Sequence, residues 1–336
     1  MTDSAAPLPT LLVGCGLIAR AYVDALARTP ELELVGVIDP DAAARARIAN
    51  ATDPAVPAFA DLDSAFVAGV EPQAALVLTP PNTHEAIATD LLGRGLHVLC
   101  EKPLAPTLAA AGRMIAAARA ADRRLMMGSK FRYTADVLAA RRLLDDDYCG
   151  DIVLYENVFC APVDMADRWN AHPRTSGGGV LIDNGCHSVD VARYLLGPIA
   201  RVQAQFGRVT QDIMVEDTAR LLFESKSGAL GSIDLSWSVH KATAAYVRIH
   251  GTRGTIEIGW QESRCQEVQS AEWHRFGDGY DKVSAFAAQL GDFATVARTG
   301  APGNIDDDDA LASVAVIERA YESQREERWL PIEGDA

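Results

Sequence analysis

No apolar run in this 336-residue sequence approaches the ~18 residues that cross a bilayer, so no membrane-spanning helix is expected. No C-x-x-C pair occurs. The six cysteines, Cys15, Cys100, Cys149, Cys160, Cys186 and Cys265, are scattered. That argues against a structural zinc site and for free, mostly buried thiols in a cytoplasmic protein. Positive charge is in deficit: 31 Lys and Arg face 46 Asp and Glu, a net charge of −15. An acidic surface repels phosphate backbones and anionic lipid, so neither nucleic acid nor a membrane is an expected partner. The first residues lack a basic stretch followed by an apolar one, so no secretory leader is expected. There is no internal repeat and no low-complexity linker. What is present is an ordinary globular composition, 49% hydrophobic and 23% charged. The length suits about two domains.

The first part of the chain alternates short apolar runs with Ala-rich segments. Leu11-Leu12-Val13 ends in Gly14, and residues 34–38 end in Asp39-Pro40. Residues 74–78 end in Thr79-Pro80-Pro81, and residues 97–100 end in Glu101-Lys102-Pro103. These runs are continuous rather than alternating, as in strands buried on both faces of a parallel sheet. Helical stretches are expected at 19–28, 41–50, 84–93 and 107–121, which makes βαβ units.

The pattern changes after about Gly128. Segments 151–160, 199–209, 217–224, 229–239, 245–250 and 255–259 read as longer strands. In Gly231-Ser232-Ile233-Asp234-Leu235-Ser236-Trp237 apolar residues fall at every second position, as in an antiparallel sheet with one covered face. One helix is expected at 185–196, stopped by Gly197-Pro198. Two more close the chain, at 282–299 and 306–327. The acidic run Asp306–Asp309 suits the positive end of the last helix. The expected fold class is α/β: a doubly wound parallel sheet over residues 1–128, then an α/β domain with a large, mainly antiparallel sheet over 129–336.

Gly14-Cys15-Gly16-Leu17-Ile18-Ala19 reads G-x-G-x-x-A between a strand and a helix. The first glycine permits a tight turn, the second lets backbone N–H groups approach a pyrophosphate, and the small Ala19 lets helix and strand pack closely. Asp39 ends the next strand, where a carboxylate accepts ribose hydroxyls and repels a 2′-phosphate. The pair predicts a dinucleotide site that takes NAD rather than NADP. Some methyltransferases share a glycine turn and a ribose-binding acid. Glu101-Lys102-Pro103 lies at a strand's C-terminal end, where ligands sit in such sheets. Taken alone, Lys102 also suits a solvated loop. Asp183 and His187 are four apart at a helix start and share a face. Taken alone, Asp183 also suits an N-cap and His187 a core position.

Together these residues resemble the Gfo/Idh/MocA family, the glucose–fructose oxidoreductase and inositol dehydrogenase group. The likeness runs in order along nearly the whole chain. It takes in the turn Gly14–Ala19, Thr79-Pro80-Pro81-Asn82-Thr83-His84, Glu101-Lys102-Pro103, and Gly177-Gly178-Gly179 followed by Asp183, Gly185, His187 and Asp190. It ends with Val215-Glu216-Asp217 and His250-Gly251-Thr252-Arg253-Gly254-Thr255.

The resemblance implies a Rossmann domain and a second domain whose open sheet makes a homodimer or homotetramer. It implies Lys102, Asp183 and His187 as the catalytic group. It implies Gly14, Gly16, Leu17, Ile18, Asp39, Thr79, Pro80, Asn82, His84, Glu101, Lys102, Arg168 and Trp169 beside the cofactor. Asn170 stands where the family often has Arg, which weakens the Arg168-Trp169 assignment. Lys102, Arg132, His172, Arg174, Asp183 and His187 are the expected substrate contacts; a mobile surface loop is the other reading of His172 and Arg174. No metal is expected. The implied activity is NAD(P)-dependent interconversion of a secondary alcohol and a ketone on a sugar, inositol or related polyol. The alternatives are an imine, amino-sugar or nucleotide-sugar ketone as substrate, or a dinucleotide sensor without catalysis.

Overall fold

The structure is a computed structural model and describes residues 6–241 and 243–333. The first five residues of the expected leaderless N-terminus and the last three of the expected second domain lie outside the described residues. The chain divides into two compact units.

The first unit takes in the described residues up to 105, with 109–130 and 282–310. Its elements are β1 Leu8–Val13, α1 Ala19–Leu26, β2 Leu32–Ile38, α2 Ala42–Ala49, β3 Ala58–Phe59, α3 Leu62–Val67, β4 Ala74–Val77, α4 Pro81–Gly93, β5 His97–Glu101, α5 Leu108–Ala120 and β6 Leu125–Gly128. The strands form one sheet in the order β3-β2-β1-β4-β5-β6. Every pair is parallel. Leu11, Leu12, Leu76, Val98 and Leu99 have no exposed surface, which is why their segments carry unbroken apolar runs. The strand order reverses between β1 and β4, and the C-terminal ends of strands at such a reversal form the ligand crevice of open α/β sheets. Helix α4 begins at Pro81, three residues before the expected start, because proline fits the first helical turn, where no N–H bond is lost.

A late helix, Lys282–Thr299, also belongs to this unit. Phe286 packs against Tyr22 of α1 with the rings tilted and their centroids 4.4 Å apart, and Ala285, Leu290, Phe293 and Ala294 are buried beside it. A boundary at residue 128 put this helix in the second domain. The units are instead interleaved in sequence, because its apolar stripe packs on α1.

The second unit takes in 106–108, 131–281 and the described residues from 311 on. Its elements are α6 Ala135–Asp145, β7 Ile152–Cys160, α7 Pro173–Ser176, α8 Val180–Leu196, β8 Ile199–Phe206, β9 Thr218–Ser225, β10 Leu230–Ser236, β11 Ala245–Gly251, β12 Gly254–Gly259, β13 Ser263–Glu267 and β14 His274–Gly277. Numbering the late helix of the first unit α9, the chain ends with α10 Asp307–Glu326 and β15 Leu330–Pro331. The sheet order is β14-β13-β12-β11-β7-β10-β9-β8-β15. It is antiparallel except where β10 runs parallel to β7. Alternation decides the faces. Ala219, Leu221, Phe223, Ile233 and Leu235 are buried in one core with Leu181, Val189 and Leu195 of α8. The other face carries ion pairs such as Arg220–Asp234 at 2.6 Å and Arg248–Glu257 at 2.9 Å.

Candidate active site

In the first unit the glycine turn is built as its sequence requires. Gly14 has φ +99°, and a Cβ there would lie 2.8 Å from the Leu78 carbonyl carbon. A Cβ on Gly16 would meet nothing within 4 Å, so the backbone at this point faces open space. Leu17 is exposed, and Ile18 leads the chain into α1. Asp39 is fixed against the turn. Its Oδ2 accepts the Cys15 N–H at 2.7 Å and its Oδ1 accepts the Asp41 N–H at 2.8 Å. Arg47 donates to the Cys15 carbonyl at 2.9 Å. Burial, and then the Asp39 charge, push the Cys15 thiol up to about 12, so it stays a neutral thiol. A bare glycine cradle at a helix start, with a carboxylate anchored beside it, fits the pyrophosphate and ribose of a dinucleotide.

Around the next turn Thr79 and Pro80 are half-buried and Asn82 is exposed. The Thr83 hydroxyl lies 2.7 Å from the Pro80 carbonyl and 2.8 Å from the Thr79 hydroxyl. His84, expected to border the cofactor, has no exposed surface. Its Nε2 sits 2.8 Å from the Thr79 carbonyl and its Nδ1 3.0 Å from the Pro103 carbonyl. His84 therefore braces the two turns from behind. Burial pushes its pKa down, against those carbonyls. Glu101 and Lys102 are half-buried at the end of β5. Glu101 accepts the Tyr22 hydroxyl on Oε1 at 2.6 Å and the Lys102 N–H on Oε2 at 3.1 Å.

In the second unit helix α8 carries Asp183 in its first turn and His187 one turn later. Its N-cap is Gly179, not Asp183, and Gly179 offers no side chain to cap it. Glu216 supplies that cap from the loop before β9, accepting the Gly179 and Leu181 N–H groups on Oε1 at 3.0 and 3.1 Å. The Tyr321 hydroxyl donates to the same oxygen at 2.6 Å. This explains two of the three glycines. A Cβ on Gly179 would lie 2.1 Å from the Glu216 carbonyl oxygen, and one on Gly178 would lie 2.0 Å from the Tyr321 hydroxyl. Only Gly177, at φ +85°, serves a left-handed conformation.

His187 is 6% exposed, and the ring of Phe131 meets it edge-on at 5.0 Å. Asp183 is half-buried. Arg132, expected to touch substrate, is 1% exposed. Its guanidinium engages both oxygens of Asp190 of α8, at 2.5 and 3.2 Å. Its role is to tie α8 to the segment after β6, with too little surface left for a substrate contact. Arg168, Trp169, His172 and Arg174 are all exposed on the segment before α8. Tyr22, Gln289 and Tyr321, which support these groups, carry no local sequence signal; only the packing of α9 and α10 reveals them. Among the described residues no group of three or more His, Cys, Asp or Glu side chains could hold a metal ion. No helix among them is long and apolar enough to cross a membrane.

Known proteins resemble this chain along most of its length. Residues 8–129 match the family model described as "Oxidoreductase family, NAD-binding Rossmann fold". Residues 137–257 match the GFO/IDH/MocA C-terminal domain. The rhizopine catabolism protein MocA of Rhizobium meliloti is 30% identical over 318 residues, covering 93% of each chain. The inositol 2-dehydrogenase of Rhizobium meliloti (strain 1021) is 26% identical over 353 residues, covering 96% of this chain and 98% of that one. Among solved structures, levoglucosan dehydrogenase in complex with NADH and levoglucosan superposes with a TM-score of 0.88, at 19% identity, over 97% of this chain and all of that one. That last likeness is one of fold.

Proposed function

The chain belongs to the Gfo/Idh/MocA oxidoreductase family, and from that premise we propose that it interconverts a secondary alcohol and a ketone on a sugar, inositol or related polyol. NAD is its cofactor, and when bound it takes up or returns the hydride. The observation that carries the reading is the placement of Asp183 and His187 one turn apart on the capped helix α8. Lys102 at the end of β5, next to Glu101, supports it, as do relatives named for inositol dehydrogenation.

In this reading His187 accepts the proton of the substrate hydroxyl. An imidazole suits reversible transfer because its ordinary pKa lies near neutrality. Lys102 stabilises the negative charge that develops on the oxygen. Asp183 holds the His187 ring or a neighbouring hydroxyl. Glu101 receives the hydroxyls of the nicotinamide ribose, and Asp39 those of the adenosine ribose. Arg168 and Trp169 border the cofactor, and His172 and Arg174 tune the substrate choice. The same reading makes the protein cytoplasmic and a homodimer or homotetramer through its nine-stranded sheet. In support of the latter, Leu154, Leu222 and Leu230 stand exposed on that sheet.

Isotope transfer tests the reaction class. Wild-type protein is incubated with NAD and inositols or sugars deuterated at their carbinol carbons. Deuterium is expected in the NADH formed. Bound NAD that is never reduced by any of them would point to a sensor instead.

A further inference from the structure

Glu101 is held by groups that the proposed chemistry does not use. Tyr22 of α1 has no exposed surface, and its hydroxyl donates to Glu101 Oε1 at 2.6 Å. Gln289 of α9 is equally buried, and its Nε2 donates to the Tyr22 oxygen at 3.1 Å. The other Glu101 oxygen accepts the Lys102 N–H. The three side chains thus form one donor chain, from Gln289 through Tyr22 to the carboxylate beside Lys102.

Packing alone does not account for this arrangement. The Tyr22 ring already packs against Phe286, so a phenylalanine would fill the same space without burying a hydroxyl. A Cβ on Gly128 would sit 3.2 Å from that hydroxyl and 3.3 Å from the Glu101 Cα, so the glycine leaves room for both. Gln289 Oε1 is buried with no hydrogen-bond partner among the described residues. A buried orphan acceptor is unfavourable, and an apolar residue would not incur it, so it is the donor half of the amide that the arrangement uses. Burial, and next the Glu101 charge, push the Tyr22 pKa well above its ordinary value. The hydroxyl therefore remains a donor.

We propose that Tyr22 and Gln289 are positioning residues. They fix the rotamer of Glu101 so that its remaining lone pairs face a ribose hydroxyl, and they hold the Lys102 backbone through it. The inference rests on the reading that Glu101 meets the bound cofactor, and the test separates the two. NADH dissociation constants are measured by fluorescence titration of the full chain, with thermal melts alongside, for wild type, Tyr22→Phe, Glu101→Gln, the double variant and Gln289→Leu.

Loss of a hydrogen bond to a charged group is expected to weaken NADH binding about tenfold in Glu101→Gln and about fivefold in Tyr22→Phe. Because Tyr22 acts through Glu101, the double variant should bind no worse than Glu101→Gln, with thermal melts of Tyr22→Phe close to wild type, whereas a packing role would lower the melting temperature and leave the Glu101→Gln effect to add. Gln289→Leu should shift binding in the same direction by a smaller factor. It leaves the Tyr22 ring in place and so gives the answer if Tyr22→Phe does not fold. Wild-type binding by both Tyr22→Phe and Gln289→Leu, or full additivity in the double variant, would overturn the proposal while leaving Glu101 in the cofactor site. Wild-type binding by Glu101→Gln would overturn the Glu101 reading, and the proposal with it.

Discussion

The Leu181 N–H donates to Glu216 Oε1 at 3.1 Å, so a side chain from a distant loop caps the helix that presents Asp183 and His187. A helix start leaves N–H groups without partners. The glycine-rich approach to α8 has no side chain to offer them. Glu216 fills that role because Gly178 and Gly179 let Tyr321 and the Glu216 backbone come within reach. The close approach and the cap are one device, and it sets where α8 begins.

Titration of Glu216 should be visible in stability. Burial pushes its carboxyl pKa up, although Tyr321 and the backbone N–H groups pull it down. An acid whose folded pKa exceeds its unfolded one holds its proton more tightly when folded. Its contribution is complete below the unfolded value and is lost as pH rises through the folded value. Glu216→Gln lacks that proton. Urea unfolding of both proteins should therefore show wild type losing stability relative to the variant as pH is raised out of the ordinary carboxylate range. A stability difference that is flat with pH would contradict this.

Arg132→Met should cost about 3–5 kcal/mol of stability, because it breaks a buried ion pair that Arg132 makes with Asp190. Replacing both partners, Arg132→Met with Asp190→Leu, should recover most of that loss. Chemical denaturation reads both values. A substrate-binding role would instead give a raised KM with unchanged stability.

If Asp39 reads the adenosine ribose as proposed, Asp39→Ala should weaken NADH binding about tenfold and raise the relative affinity for NADPH, since a carboxylate there accepts ribose hydroxyls and repels a 2′-phosphate. It also removes the anchor of the Cys15 N–H. Paired titrations with the two reduced cofactors check it. An unchanged ratio would mean that another group reads the ribose.

Much of the fold is legible in the sequence because burial on both faces leaves a plain mark. The runs at β1, β2, β4 and β5 are continuous, and the alternation in β10 gives its two faces. β3 is two residues long, and β13 carries a single apolar residue, Cys265, so neither shows a hydrophobic pattern. The return of α9 to the first unit depends on which helix its apolar stripe meets, and spacing does not encode that.

At the site, local motifs single out candidates: the glycine turn, Asp39, Glu101-Lys102, Asp183 and His187. What each candidate packs against is not legible in this way. His84 and Arg132 are polar residues of the kind that meet ligands, yet both are buried against protein partners, carbonyls for one and Asp190 for the other. Sequence shows a residue's chemistry, while its partner is fixed by packing at long range.

The central claim is that Lys102 and His187 carry the chemistry while the glycine turn carries the cofactor. The measurement that tests it most directly compares wild type, Lys102→Ala and His187→Ala for NADH binding and for polyol-dependent NAD reduction in the same preparations. The account predicts NADH dissociation constants within about threefold of wild type and turnover lower by about 100-fold or more in each variant. Turnover that survives either substitution, with the cofactor bound as before, would remove that residue from the reaction and contradict the account.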